Sequence, residues 1–141
     1  MAAAPAIVRQ ATQAVDRGES PWLADRLREQ GVITPEDVGQ ASRHGDAAAN
    51  RILQEAGGLI GRMLASVVNF FNPSHVFIGG GLTRTGPLLL AAVRQSVYQR
   101  SLALSTRHLE IQYTPLAERA GMVGAGVLAM QEALRHRKLA A

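Results

Sequence analysis

Apolar residues recur along this chain at two distinct periods, and the breaks between periodic stretches fall at glycine and proline. Residues 5–16 read as a short helix ending at Gly18, a residue suited to a left-handed C-terminal cap. Ser20-Pro21 opens a second helix, with Ser20 as N-cap and Pro21 in the first position. Trp22, Leu23 and Leu27 form its apolar face, and Gly31 ends it. Thr34-Pro35-Glu36-Asp37 repeats that start and adds two acids in the first turn, where the helix dipole favours them. This third helix, carrying Val38 and Ala41, runs to about His44-Gly45. Asp46 then caps a long helix that reaches Asn72-Pro73. Ile52, Leu53, Ala56, Ile60, Met63, Leu64, Val67, Val68 and Phe71 follow its three-and-four spacing, and Leu59, Ala65 and Phe70 widen the stripe. Gly57, Gly58 and Gly61 interrupt it, each costing about 1 kcal/mol relative to alanine in a helix. A helix that carries three of them is expected to be buried and packed closely against another element.

After Pro73 the period changes. His75-Val76-Phe77-Ile78 is a short β-rich run of the fully buried type, ended by Gly79-Gly80-Gly81. Gly86-Pro87 opens another amphipathic helix through Leu88, Leu89, Val93, Val97 and Tyr98, and residues 109–113 alternate as a strand does. Gly121-Met122-Val123-Gly124-Ala125-Gly126 leads into a last helix ending near Arg135. From Ala47 the order is helix, strand, helix, strand, helix, which predicts an α/β fold, helix-rich with a small sheet. Residues 1–45 form short helices expected to pack on a main body of residues 46–141. Two strands seldom make an independent sheet, so this organisation is expected to be part of something larger.

Composition narrows the chemistry. At 141 residues, 47% hydrophobic and 18% charged, the chain is sized for one globular domain with a real core. Cysteine is absent, which excludes disulfides, thiol nucleophiles and thiolate zinc sites. No apolar run approaches the roughly 20 residues of a membrane span, and a cytoplasmic location without membrane association is expected. The net charge of +4 comes from fourteen arginines and one lysine, scattered except at Arg135-His136-Arg137-Lys138. A nucleic-acid footprint is a stripe or cluster interleaved with aromatics, so this pattern argues against direct DNA or RNA binding by these residues. His44, His75, His108 and His136 lie in unrelated contexts without metal-ligand spacing and read as structural or solvent-facing. Glu36, Asp37 and Asp46 are better explained as helix caps than as catalytic carboxylates, and no Gly-Lys-Ser/Thr phosphate loop occurs. No catalytic residue is assigned. The informative element is the run from Asn72 to Leu82, a strand that delivers three glycines at its C-terminal end. In open α/β sheets ligands lie beyond such ends. Backbone N–H groups there, with the helix start near Gly86, suit a phosphate or nucleotide; equally, the glycines permit a tight turn and close helix packing.

Four motifs in order carry a resemblance. Gly45-Asp46-Ala47-Ala48-Ala49, Val68-Asn69-Phe70-Phe71-Asn72-Pro73, Ile78-Gly79-Gly80-Gly81-Leu82 and Ala120-Gly121-Met122-Val123-Gly124-Ala125 are similar to the C-terminal half of ROK proteins (repressors, open reading frames and sugar kinases). The likeness runs from roughly Trp22 to Leu134, and residues 98–104 resemble actinobacterial regulators more than kinases. It implies the C-terminal part of an actin-like, ribonuclease-H-like ATPase domain. By motif, Gly79, Gly80 and Gly81 correspond to the family's adenosine-side glycines, and Gly121 and Gly124 to a later glycine motif bordering the same nucleotide cleft. The family's phosphate motif, catalytic aspartate, sugar motif, cysteine-rich zinc site and regulator winged helix do not occur in this sequence. The resemblance therefore implies the effector and oligomerisation portion of a sugar-responsive transcriptional regulator, non-catalytic by itself, forming a homodimer or higher oligomer. A sugar or sugar phosphate effector would bind through residues outside this sequence, and DNA through a winged helix outside it. On this reading no cofactor is bound by this chain alone. The alternative is the C-terminal lobe of an ATP-dependent hexose kinase, in which the glycines would hold ATP.

Overall fold

The computed structural model describes residues 4–116 and 119–139. Each of the first four helices begins and ends as its punctuation dictates. Helix α1 spans Ala4–Asp16, and Gly18 follows it in the left-handed region at φ 71°. Helix α2 (Pro21–Gln30) is capped by Ser20, whose Oγ accepts from the Leu23 N–H at 3.1 Å, and closed by left-handed Gly31. Helix α3 (Pro35–Arg43) starts with a full capping box: Thr34 Oγ1 accepts from the Asp37 N–H, and Asp37 Oδ2 accepts from the Thr34 N–H at 2.8 Å. Helix α4 (Ala47–Phe71) is capped by Asp46 Oδ1, which accepts from the Ala49 N–H at 2.8 Å, and ends at left-handed Asn72.

Asp46 does more than cap its own helix. Its Oδ2 accepts a 2.6 Å hydrogen bond from Ser20 Oγ, so the cap of α2 is tied to the cap of α4 across 26 positions of sequence. Asp46→Ala removes both bonds and leaves buried Ser20 short of an acceptor. The substitution is expected to cost about 2 kcal/mol, and Asp46→Asn clearly less because the amide keeps the cap. Urea midpoints for the two variants check this; equal losses would show that the cap bond is idle and that the link to Ser20 carries the whole cost.

A first core joins α1, α2 and α3 to the N-terminal half of α4 through Ile7, Leu23, Val38, Ile52 and Leu53, with Leu89 reaching in from a later helix. A second core joins the C-terminal half of α4 to the sheet. Strand β1 (His75–Ile78) runs parallel to β2 (Glu110–Tyr113), in the register His75 to Glu110 and Ile78 to Tyr113. Between them lie a 3-10 turn (Gly80–Thr85), helix α5 (Pro87–Arg100) and the single-turn helix α6 (Ala103–Thr106). A parallel pair requires such a crossover. Helix α7 (Ala120–Leu139) closes the described chain.

Helices α4 and α5 lie side by side in the same direction, Gly57 facing Leu89 and Ala92, Gly61 facing Val93 and Ser96. The close packing expected of the glycines is thus real for Gly57 and Gly61. Gly58 is different: a Cβ there would meet only Arg62 Nη1, at 3.9 Å.

Three expectations need correction. Helix α4 is buried only in part, since Met63, Val67, Phe70 and Phe71 are exposed, Phe70 by 81%. They lie outside the arc that α5 covers. Strand β1 is half-buried rather than fully buried. Val76 and Ile78 point with Ile111 and Tyr113 towards the second core, while His75 and Phe77 stack at 6.2 Å on the open face. Helices cover one face of this sheet, and strand alternation sends every second side chain to the other. Finally, Gly121, Gly124 and Gly126 lie inside α7 instead of ahead of it, and the helix continues past Arg135 to Leu139.

Candidate functional site

Among the described residues, the C-terminal ends of the two strands and the turn that follows β1 are where sequence-selected glycines meet a structured surround. The Ile78 carbonyl accepts from the Thr114 N–H at 2.9 Å, which extends the pairing of the strands to the brink of the turn. Gly79 continues extended, and Gly80 then turns the chain at φ 73°. A side chain at Gly80 would be strained, although a Cβ there would meet nothing within 4 Å. At Gly81 a Cβ would lie 3.0 Å from the Ala4 Cβ, so α1 crowds the turn from one side. Gly79 and Gly80 face solvent on the other.

The turn is held by its own hydroxyls and by β2. Thr83 Oγ1 donates to the Gly80 carbonyl at 2.9 Å, and buried Thr85 Oγ1 to the Leu82 carbonyl at 2.7 Å. The Tyr113 hydroxyl, at the end of β2, donates to the Gly86 carbonyl at 2.8 Å. Burial pushes the Tyr113 phenol above its ordinary pKa, against the opposing pull of the Thr85 hydrogen bond and the Arg94 charge. The phenol stays a neutral donor and locks the approach to α5. Gly86, at φ 85°, is the N-cap of that helix and supplies no side-chain bond, with Pro87 in the first position. The 3-10 segment between the glycines and α5 was not visible in the sequence.

Gly121 and Gly124 sit elsewhere. Residues 121–132 of α7 face solvent, and a Cβ at either glycine would meet nothing within 4 Å. The described structure therefore gathers Gly79, Gly80 and Gly81 on one turn and does not draw Gly121 and Gly124 onto it.

The described titratable residues singled out by sequence are caps, ring-stacking partners or solvent-facing groups. Asp37 and Asp46 are caps, and buried Asp37 also lies 3.8 Å from the Arg26 guanidinium. Glu36 is exposed and accepts only from Gln40 at 3.5 Å. His44 stacks on Trp22, whose ring also carries the Arg26 guanidinium at 5.2 Å. Exposed His75 lies 3.7 Å from Glu110, and His108 is exposed; the side chain of His136 lies outside the described residues. Sequence reasoning missed the part played by Tyr113, and also by Gly39, where a Cβ would lie 2.6 Å from the Thr85 carbonyl oxygen. An isolated glycine within the helical pattern of α3 was the available signal. No described helix is long and apolar enough to cross a membrane.

Comparison with known proteins places this geometry. A glucokinase of Halalkalibacterium halodurans is 30% identical over 132 residues, 94% of this chain and 40% of that protein. The DNA-binding transcriptional repressor Mlc of Escherichia coli is 30% identical over 96 residues, 68% of this chain and 24% of the repressor. Among solved structures, a ROK family glucokinase from Streptomyces griseus, in complex with glucose and AMPPNP, superposes with a TM-score of 0.76 at 30% identity. That superposition covers 92% of this chain and 43% of the other. The chain thus spans less than half the length of these relatives. Its small parallel sheet layered with helices is the C-terminal part of the actin-like, ribonuclease-H-like ATPase fold. The profile of the ROK family matches residues 1–132, and the chain belongs to that family.

Proposed function

We propose that this chain is the C-terminal effector and assembly portion of a cytoplasmic, sugar-responsive transcriptional regulator, and that it performs no catalysis by itself. The observation that carries this reading is the segment of residues 98–104, which resembles regulators. Asn69 of α4 grips its middle, donating from Nδ2 to the Arg100 carbonyl at 3.3 Å and accepting at Oδ1 from the Leu102 N–H at 3.0 Å. The Tyr98 hydroxyl fastens it to the Leu109 carbonyl at 3.0 Å. The backbone so held presents Leu102 and Leu104 to solvent, the latter 83% exposed, beside the α4 side chains that α5 leaves uncovered. A rigid segment with an apolar outer surface suits assembly with a second copy. The likeness to Mlc supports the same reading.

In this account an effector sugar binds mainly through residues outside the chain, and DNA through a winged helix outside it. The sugar alters DNA affinity only as far as it binds the DNA-competent and incompetent arrangements unequally. Gly79, Gly80, Gly81, Gly121 and Gly124 persist as fold features of a former nucleotide cleft. A second reading, the C-terminal lobe of an ATP-dependent hexose kinase, is favoured by the glucokinase likeness across nearly all of the chain. There the Gly79–Gly81 turn would hold adenosine.

The two readings part on the intact gene product. The regulator reading expects retention of its own promoter DNA in a mobility-shift assay, at least tenfold sensitivity of that retention to a hexose, and no hexose-dependent ADP release. Turnover of ATP with a hexose, and no DNA retention, would overturn it in favour of the kinase.

A further inference from the structure

We propose that the groove between α4 and α5 is a binding site for a small phosphomonoester carrying hydroxyl groups, such as a hexose phosphate. Gly58 shapes this groove. Of the three glycines of α4, Gly57 and Gly61 are required because the α5 backbone and Ser96 come too close for a side chain. Gly58 meets no such neighbour, yet costs about 1 kcal/mol in mid-helix. What it provides is room. Gln54, Gly58 and Arg62 form one i, i+4, i+8 ridge, and Gly58 makes the dip that floors a groove of about 500 Å³. Eight residues of helix give this trough a length of roughly 12 Å.

Its chemistry is one-sided. Arg62 enters from α4 and Arg100 from the end of α5, while Gln54, Gln95 and Gln99 line the walls. No acidic side chain lines the groove. Among the described residues, neither guanidinium comes within 4 Å of a carboxylate. Arg100 spends only long bonds on Ser96, 3.4 Å to the carbonyl and 3.3 Å to Oγ. Two guanidinium forks suit the three oxygens of a phosphate dianion, and amides that both donate and accept suit hydroxyl groups. Leu88 and Ala92 give the far end an apolar surface against which a ring can lie. The site lies on the α4–α5 seam, separate from the Gly79–Gly81 turn, and does not depend on whether the whole protein is a regulator or a kinase.

Calorimetric titration of the intact protein tests the assignment, with inorganic phosphate, a hexose 6-phosphate and the free hexose as probes at matched ionic strength. The hexose phosphate is expected to saturate a site at least tenfold more tightly than inorganic phosphate. Arg62→Gln is expected to weaken it by about tenfold or more, as loss of a charge-assisted fork does. Gly58→Leu, a good helix former that fills the floor, should abolish it while thermal unfolding stays cooperative. The affinity of the free hexose should be indifferent to both substitutions. Absence of hexose phosphate binding, or binding unchanged in both Arg62→Gln and Gly58→Leu, would overturn the proposal.

Discussion

Gly61→Val should destabilise the protein by about 3 kcal/mol, whereas Gly58→Ala, three positions earlier on the same helix, should stabilise it by up to about 1 kcal/mol. The contrast follows from what each missing side chain would meet. At Gly61 a Cβ lies 2.4 Å from the Ser96 Cβ and 2.8 Å from the Val93 carbonyl oxygen. The second of these is backbone, so α5 as a whole must move, and with it Val93 and Val97 of the second core. Interiors are packed too densely to absorb such a shift locally. At Gly58 the added methyl meets only the end of the flexible Arg62 side chain, and the helix gains the difference in propensity. For a chain of this size the valine variant should melt roughly 10 °C lower. Thermal and urea unfolding of both variants decide the matter. If both lose stability alike, the seam is not where α4 and α5 are pinned.

The same pair of helices shows how far the sequence could be read. Helix starts and stops were legible almost to the residue because they are local: Ser20, Thr34 and Asp46 bond to N–H groups three positions on, and Gly18 and Gly31 adopt the left-handed conformation at helix ends. Three glycines in α4 announced close packing, but sequence could not say that Gly58 faces a groove. That distinction depends on where α5 lies, a relation across more than thirty positions. The exposure of Phe70, Phe71 and Phe77 was illegible for a related reason. Apolar character marks a surface that prefers cover without saying what covers it. In this structure α5 covers one side of α4 and of the sheet and leaves the other open.

The candidate site was legible to a lesser degree. Three consecutive glycines after a β-rich run located the turn, and only Gly80 has a positive φ that demands glycine. The grip of Tyr113 on Gly86 joins residues 27 positions apart and leaves no local signature. Gly121 and Gly124 were selected by motif, and α7 holds them in solvent, away from the turn. Motif order identified the family; it did not supply the packing around each glycine.

Gly39→Val is expected to cost about 3 kcal/mol or more and to loosen the Gly80–Thr85 turn without altering any residue of the turn. Gly39 is buried in α3, and a Cβ there would lie 2.6 Å from the Thr85 carbonyl oxygen, 2.8 Å from its carbon and 3.1 Å from the Arg84 carbonyl oxygen. All three are backbone atoms, so no rotamer change relieves the clash. Either α3 retreats, opening the first core at Val38 and Ala41, or the turn retreats, straining the Thr85 bond to Leu82 and the Tyr113 bond to Gly86. The turn is the weaker partner, being held by a few side-chain bonds, whereas α3 is capped at its start and packed against α1, α2 and α4. Amide exchange should therefore quicken at Leu82, Thr85 and the first turn of α5 before it does in α3. Gly121→Ala is the control, a glycine in an exposed helix that should be neutral or slightly stabilising. Equal exchange in the turn of the wild type and Gly39→Val would mean that α3 does not support the glycine turn. Faster exchange confined to the turn would make α3 the brace through which the N-terminal helices set the position of Gly79, Gly80 and Gly81.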